Sequence, residues 1–156
     1  RLRLVGSGPM EADLRAQVSA LGLQDRVEFI SGVTDADLPS NYAAADIFVL
    51  PACERSEAFG LVLVEACASS LPCVSTELGT GTSYVNADRV SGLVVPPSDP
   101  AALAAACNEL LASAEARRAY GASARCRAVE LFDIRRVAAH VADVYREVVV
   151  QASRSR

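Results

Sequence analysis

Ile47-Phe48-Val49-Leu50-Pro51-Ala52-Cys53-Glu54-Arg55-Ser56-Glu57-Ala58-Phe59-Gly60-Leu61-Val62-Leu63-Val64-Glu65-Ala66 is the stretch on which the fold turns. A short apolar run, Ile47 to Leu50, is closed by Pro51. A polar loop spans residues 51–58. An apolar segment of helical length follows, from about Phe59 to Ser69, and Cys73 to Ser75 begins the cycle again. Strand, loop, helix, strand is the unit of a parallel sheet. Inside it, Glu57 and Glu65 stand eight residues apart, separated by a glycine and six apolar residues. An ionised carboxylate is costly to bury without a partner, so this pair points to a polar ligand. Gly60 falls where the loop becomes a helix, so backbone N–H groups and the positive end of the helix dipole can face an anion. Carboxylates for hydroxyls beside amides for phosphate is the pattern expected for a nucleotide sugar.

The same alternation extends in both directions. Leu2 to Val5 reads as a strand, ended by Gly6-Ser7-Gly8-Pro9. A helix runs to about Leu21, where Gly22 stops it. Val27 to Ile30 is the second strand, and Thr34 or Asp35 caps a helix through Ala45. After the fourth strand come a Gly- and Thr-rich loop, Gly79-Thr80-Gly81-Thr82, and a fifth strand, Gly92 to Val95. Helical periodicity then continues from Asp99-Pro100 to about Leu111, from Glu115 to Phe132, and from Ile134 to Val150. The expected fold is α/β: a doubly wound parallel sheet of about five or six strands, with helices on both faces and a helical C-terminal segment. It forms one domain over residues 1–150, followed by a polar, frayed tail at 151–156. The opening Arg1-Leu2-Arg3-Leu4-Val5-Gly6 reads as the middle of a strand, as in an excised domain. Ligands of such sheets bind beyond the carboxyl ends of the strands. The loops 6–8, 32–34, 51–60 and 77–82 meet there.

Composition narrows the function classes. The chain of 156 residues is 51% hydrophobic and carries a net charge of −4, which argues against a nucleic-acid partner. Aromatic residues are 5% and Trp is absent, so base-stacking platforms are not expected. The apolar runs are interrupted well short of the ~20 residues of a membrane span. The five cysteines include no Cys-x-x-Cys pair, which excludes the common zinc and redox spacings and suits reduced core thiols in a cytosolic protein. There are 15 arginines and no lysine, so a Walker-type Gly-Lys-Ser/Thr loop is excluded. Gly6-Ser7-Gly8-Pro9 begins like a dinucleotide fingerprint but lacks its third glycine, and a tight strand-to-helix turn explains it as well. His140 is the single histidine, on the last helix. For the glutamates an alternative stays open: Glu65 salt-bridged to an arginine, and Glu57 an N-terminal carboxylate favoured by the helix dipole.

Taken together, Ser56-Glu57-Ala58-Phe59-Gly60-Leu61-Val62-Leu63-Val64-Glu65-Ala66, Val5-Gly6-Ser7-Gly8-Pro9, Tyr42 to Pro51, Leu71 to Ser75, Ser91 to Pro97 and Asp99 to Leu103 resemble one family. They are similar to the C-terminal, Rossmann-like, nucleotide-sugar-binding domain of family-4 retaining glycosyltransferases of the GT-B fold. The resemblance implies that Glu57 is catalytic and faces the donor sugar's hydroxyls. The backbone at Phe59, Gly60 and Leu61 approaches the sugar and diphosphate, and Glu65 holds the ribose hydroxyls. Gly32 and Val33 lie near the nucleobase. It implies a UDP- or GDP-hexose donor, no metal in the site and no other cofactor. The acceptor, a saccharide or glycolipid, is bound by an N-terminal domain outside this chain. It also implies a cytoplasmic protein, with a peripheral position on the cytoplasmic face of the membrane open to the full-length form. The family's first strand–helix unit and its diphosphate-neutralising basic pair lie upstream of Arg1, so the chain alone is expected to be inactive. At 79–86, hydroxyls stand where many relatives carry an acidic residue. A non-catalytic nucleotide-sugar-binding or interaction domain of the same fold is the alternative.

Overall fold

The computed structural model describes residues 1–154, which fall into two compact units, Arg1–Asn41 and a second beginning at Tyr42. In the first unit, β1 (Leu2–Val5) pairs in parallel with β2 (Val27–Ile30), Leu2 opposite Val27 and Val5 opposite Ile30. Between them runs α1 (Glu11–Ala20), whose Arg15 guanidinium sits 4.2 Å from the centre of the Phe29 ring. The cation over an aromatic face favours this contact. The short helix α2 (Leu38–Ala43) begins later than its sequence suggests. The Thr34 hydroxyl donates to the Asp37 carboxylate at 2.6 Å, so these residues form the turn before the helix instead of its first turn.

The second unit is built on a three-stranded parallel sheet, in the order β3 (Phe48–Leu50), β4 (Cys73–Thr76), β5 (Gly92–Val95). Alternation along these strands divides the core. Phe48, Leu50 and Cys73 point to the face covered by α3 (Leu61–Ala68) and α6 (Ala114–Leu131), where Leu63, Cys67, Ala124 and Ala128 are buried. Val49, Val74, Leu93 and Val95 point to the face covered by α5 (Pro100–Ala112), against Ala106 and Leu110. Leu63 and Leu110 are both fully buried, each contributing about 1.5–3 kcal/mol. Helices therefore cover both faces of this sheet, and Phe48–Leu50 and Leu93–Val95 are apolar on both sides for that reason.

Helix boundaries follow local chemistry. Asp99 caps α5 by accepting the Ala102 N–H at 2.9 Å, with Pro100 in the first turn. Ser113 caps α6 through the Ala116 N–H at 3.1 Å. Arg117 donates to the carbonyls of Leu110 and Leu111, both at 2.9 Å, satisfying the end of α5. The Gly- and Thr-rich segment is a loop only in part, because Thr82–Val85 closes into a short helix, α4. Asn86 follows it, fully buried. Its Nδ2 donates to Ser75 Oγ at 2.9 Å and to the Leu93 carbonyl at 3.1 Å, and its Oδ1 accepts from the Ser91 hydroxyl at 3.1 Å. Strands β4 and β5 are thus tied to α4 by one amide. The last helix, α7 (Ile134–Arg154), continues past Val150 through most of the expected polar tail, and Ser155 and Arg156 lie outside the described residues. Of the cysteines, Cys67 and Cys73 are buried as expected for core thiols, but Cys53 and Cys126 are exposed and Cys107 is half-buried.

Candidate functional site

The nine-residue motif adopts a definite geometry. Gly60 is the N-cap of α3, with φ 82° and ψ 60°, and is buried. This left-handed conformation strains any residue with a Cβ. A Cβ there would also lie 2.8 Å from Leu63 Cδ1. The helix therefore starts at Leu61, two residues later than the apolar pattern suggests. Glu57 Oε1 accepts the Gly60 N–H at 2.9 Å, and its Oε2 makes no hydrogen bond among the described residues. A carboxylate at a helix start is stabilised by the dipole and by the amide it satisfies. Of the backbone groups expected to face a phosphate, the Gly60 N–H is thus already engaged. Those of Leu61 and Val62 lack intrahelical partners by their position in the first turn.

Glu65 lies one turn further along α3, and its side chain is exposed. The structural alternative paired it with an arginine. Its partner is instead Tyr42, whose hydroxyl donates to Oε2 at 2.7 Å. The Tyr42 ring packs on Phe48, with centroids 5.8 Å apart. Burial, and then the hydrogen bond and charge of Glu65, hold the Tyr42 hydroxyl well above its usual range, so it stays a donor at any physiological pH. Nothing in the local sequence signalled this pairing across 23 residues.

Phe59 stands edge-on to Phe132, the residue that ends α6 (5.8 Å, 83°), and Phe132 stands edge-on to Tyr84 of α4 (5.8 Å, 86°). Leu61 and Val62 are exposed at the start of α3. Gly32 and Val33 belong to the first unit, in the loop after β2. Gly32 has φ +69° with open space around it, and Val33 is half-buried. Following β4, Glu77 Oε1 accepts the Gly79 N–H at 2.7 Å and the Ser83 hydroxyl at 3.0 Å. The hydroxyl and amide groups of this loop are thereby partly spent on its own shape. Among the described residues no cluster of three or more His, Cys, Asp or Glu side chains is placed to hold a metal ion, and no helix is long and apolar enough to cross a membrane.

Comparison with known proteins accounts for this arrangement. The family model described as glycosyl transferases group 1 matches residues 1–127. The O-antigen chain mannosyltransferase C of Escherichia coli is 40% identical over 142 residues, covering 91% of this chain and 37% of that protein. The D-rhamnosyltransferase WbpZ of Pseudomonas aeruginosa is 42% identical over 129 residues, covering 83% of this chain and 34% of that protein. The chain thus spans little more than a third of the length of these relatives. Sucrose-phosphate synthase from Thermosynechococcus elongatus superposes with a TM-score of 0.84 at 31% identity, covering 96% of this chain and 39% of that one. Anabaena Alr3699/HepE, solved in complex with UDP, gives 0.84 at 27% identity, covering 93% and 40%. The chain belongs to the glycosyl transferases group 1 family, and its α/β fold is that of the C-terminal, Rossmann-like domain of a GT-B glycosyltransferase.

Proposed function

We propose that this chain is the donor-binding domain of a retaining glycosyltransferase, which moves a hexose from a UDP- or GDP-sugar to a saccharide or glycolipid acceptor. The observation that carries the reading is the junction at Gly60. A carboxylate, the start of an amide-bearing helix and a second carboxylate one turn later are held in place by Glu57–Gly60 and Tyr42–Glu65 hydrogen bonds. The activities of the relatives, mannosyl and rhamnosyl transfer, and the UDP and UDP-glucose complexes of Alr3699/HepE support it. In this reading Glu57 is the catalytic carboxylate facing the sugar hydroxyls and Glu65 binds the ribose. The backbone of Phe59, Gly60 and Leu61 borders the sugar and diphosphate, and the nucleobase contact falls to Gly32 and Val33. An acceptor hydroxyl oxygen bonds to the sugar's anomeric carbon on the face the diphosphate leaves, its proton passing to the departing phosphate oxygen, as the bond from that carbon to the diphosphate breaks and its electron pair leaves with the nucleoside diphosphate. The helix-start amides and basic side chains from outside this chain stabilise that charge without a divalent metal.

The acceptor site, the diphosphate-neutralising basic pair and a first strand–helix unit belong to the rest of the longer protein in this reading, and the chain alone does not transfer. β1 and β3 each pair on one side only among the described residues, so each has an edge on which a further strand can pair. The full-length protein works in the cytoplasm, peripheral to the membrane where its acceptor is a glycolipid. Calorimetric titration of the full-length protein with UDP, GDP and their hexose conjugates, with and without Mg²⁺, tests this. Metal-independent binding of one nucleotide, lost in Glu65→Gln, is expected. Unchanged transfer in the Glu57→Gln/Glu65→Gln double variant sinks the reading and leaves a scaffold role.

A further inference from the structure

The loop that carries Glu57 is held from outside as well as by its own Glu57–Gly60 and Glu54–Glu57 hydrogen bonds. Four hydrogen bonds join it to the end of β4 and the segment that follows, in step along both stretches of chain. The Thr76 hydroxyl donates to the Ala52 carbonyl. The Arg55 guanidinium donates to the Leu78 carbonyl at 3.1 Å. The Thr80 hydroxyl donates to the Glu57 carbonyl at 3.0 Å. The Gly81 N–H donates to the Ala58 carbonyl at 2.9 Å. The partners are 23 or 24 residues apart in each case, so the two segments are zipped in a constant register. At its end the fit is tight: a Cβ on Gly81 would lie 2.7 Å from Phe59 Cδ2 and 3.0 Å from the Ala58 carbonyl oxygen.

From this zipper we infer that Thr80 is the positioning residue of Glu57, and that residues 76–81 template the donor-facing loop; the inference rests on the proposed transferase reading. Thr80 is the one member of the zipper that bonds Glu57 itself. Thr82, whose buried hydroxyl lies 3.3 Å from that of Thr80, steadies it from the other side. With Thr82 donating to Thr80, and Thr80 to Glu57, both hydroxyls are satisfied and their rotamers are set. The hydroxyls found at this loop in place of an acidic residue thus have a job: they hold a neighbouring loop. Glu65, by contrast, is held by Tyr42 and stands outside the zipper. The two carboxylates are therefore positioned by separate devices, and they separate in experiment. Loss of the Thr80 donor moves the sugar-facing carboxylate and leaves the nucleotide-facing one in place.

The test uses the full-length protein with GDP-mannose and UDP-glucose as donors. It measures the rate of nucleotide release at saturation, and the Kd of free GDP and UDP by calorimetry. Thr80→Val, which keeps the shape and removes the donor, is expected to lower the rate about 10- to 100-fold, the scale of a misplaced reacting group. The nucleotide Kd stays within about twofold, because Glu65 is untouched, and Thr80→Ser restores the rate. Should Thr80→Val fail to fold, Thr80→Ala removes the same donor without a second methyl and carries the same readout. A wild-type rate in the valine or alanine variant overturns the inference. So does a rate and a Kd that worsen together in Thr80→Val and Thr80→Ser alike. The transferase reading fails separately: there, Glu57→Gln and Glu65→Gln leave nucleotide release unchanged.

Discussion

Gly121 sits in the middle of α6, where glycine is a poor helix former, and replacing it by alanine opposes two effects whose sizes decide the sign. Helix propensity favours alanine by about 1 kcal/mol, so a helix free of neighbours would gain stability. The structure sets against this a Cβ only 2.2 Å from the carbonyl oxygen of Ser70, where ordinary contact begins at 3.4 Å. About 1.2 Å of separation has to be found. The obstructing atom belongs to the backbone of a residue held at φ 62° in the turn between α3 and β4, so no side chain can swing aside. Overpacking of this kind costs about 1–3 kcal/mol, and a backbone obstacle places it at the upper end. The net effect of Gly121→Ala is then a loss of about 1–2 kcal/mol, or roughly 2–8 °C in Tm for a domain of this size. Thermal unfolding by circular dichroism reads it, with Ala122→Gly on the exposed side of the same helix as the propensity control, expected to lose about 1 kcal/mol. An unchanged or raised Tm in Gly121→Ala refutes the claim that α6 and the Ser70 turn pack in van der Waals contact here.

Asn86→Leu takes the amide donor from the Leu93 carbonyl and the Ser75 hydroxyl in the core, while Ser91 keeps its bonds to Ala87. At about 1–3 kcal/mol for each unsatisfied group, the urea midpoint drops by an amount equivalent to about 3–5 kcal/mol with little change in slope; a loss under about 1 kcal/mol contradicts the buried network. Stability also falls at alkaline pH. Tyr42 keeps its proton in the folded chain, by burial and by its bond to Glu65, while the unfolded tyrosine releases it near pH 10. Above that pH the native state binds more protons, so unfolding becomes easier as pH rises. The stability difference between wild type and Tyr42→Phe should shrink from pH 9 to 11; a constant difference argues against a protonated Tyr42 donating to Glu65. Gly81→Ala pushes Phe59 and the Ala58 carbonyl aside, and in the full-length protein it should lower nucleotide release with a smaller change in free-nucleotide Kd, which equal changes in both would refute.

Much of this molecule was legible in its residues. The strands Leu2–Val5, Val27–Ile30 and Gly92–Val95 fall where short apolar runs bounded by glycine or proline placed them. Asp99-Pro100 marked the start of α5 for the same reason, a capping carboxylate followed by a ring already in helical φ. These are local effects, fixed by a few adjacent side chains. Glu57 and Glu65 also stood out locally, because carboxylates inside an apolar run need an explanation whatever the fold.

Other features were decided by contacts that sequence spacing does not encode. Gly60, not the apolar pattern, sets the start of α3, because its left-handed backbone needs Leu63 and the Glu57 carboxylate around it. The fourth loop gained a helical turn because Asn86 finds partners on two strands. Tyr42 reaches Glu65, and Thr80 reaches Glu57, each across 23 residues. Periodicity and capping are short-range and can be read along the chain. Hydrogen bonds between distant segments depend on the register in which β3 and β4 pair, Phe48 opposite Cys73, and that register is a property of the folded sheet, not of neighbouring residues in the chain. The sequence alone therefore determined the order of the strands and of the longer helices and singled out the two carboxylates of the candidate site; which groups hold those carboxylates was left to the tertiary structure.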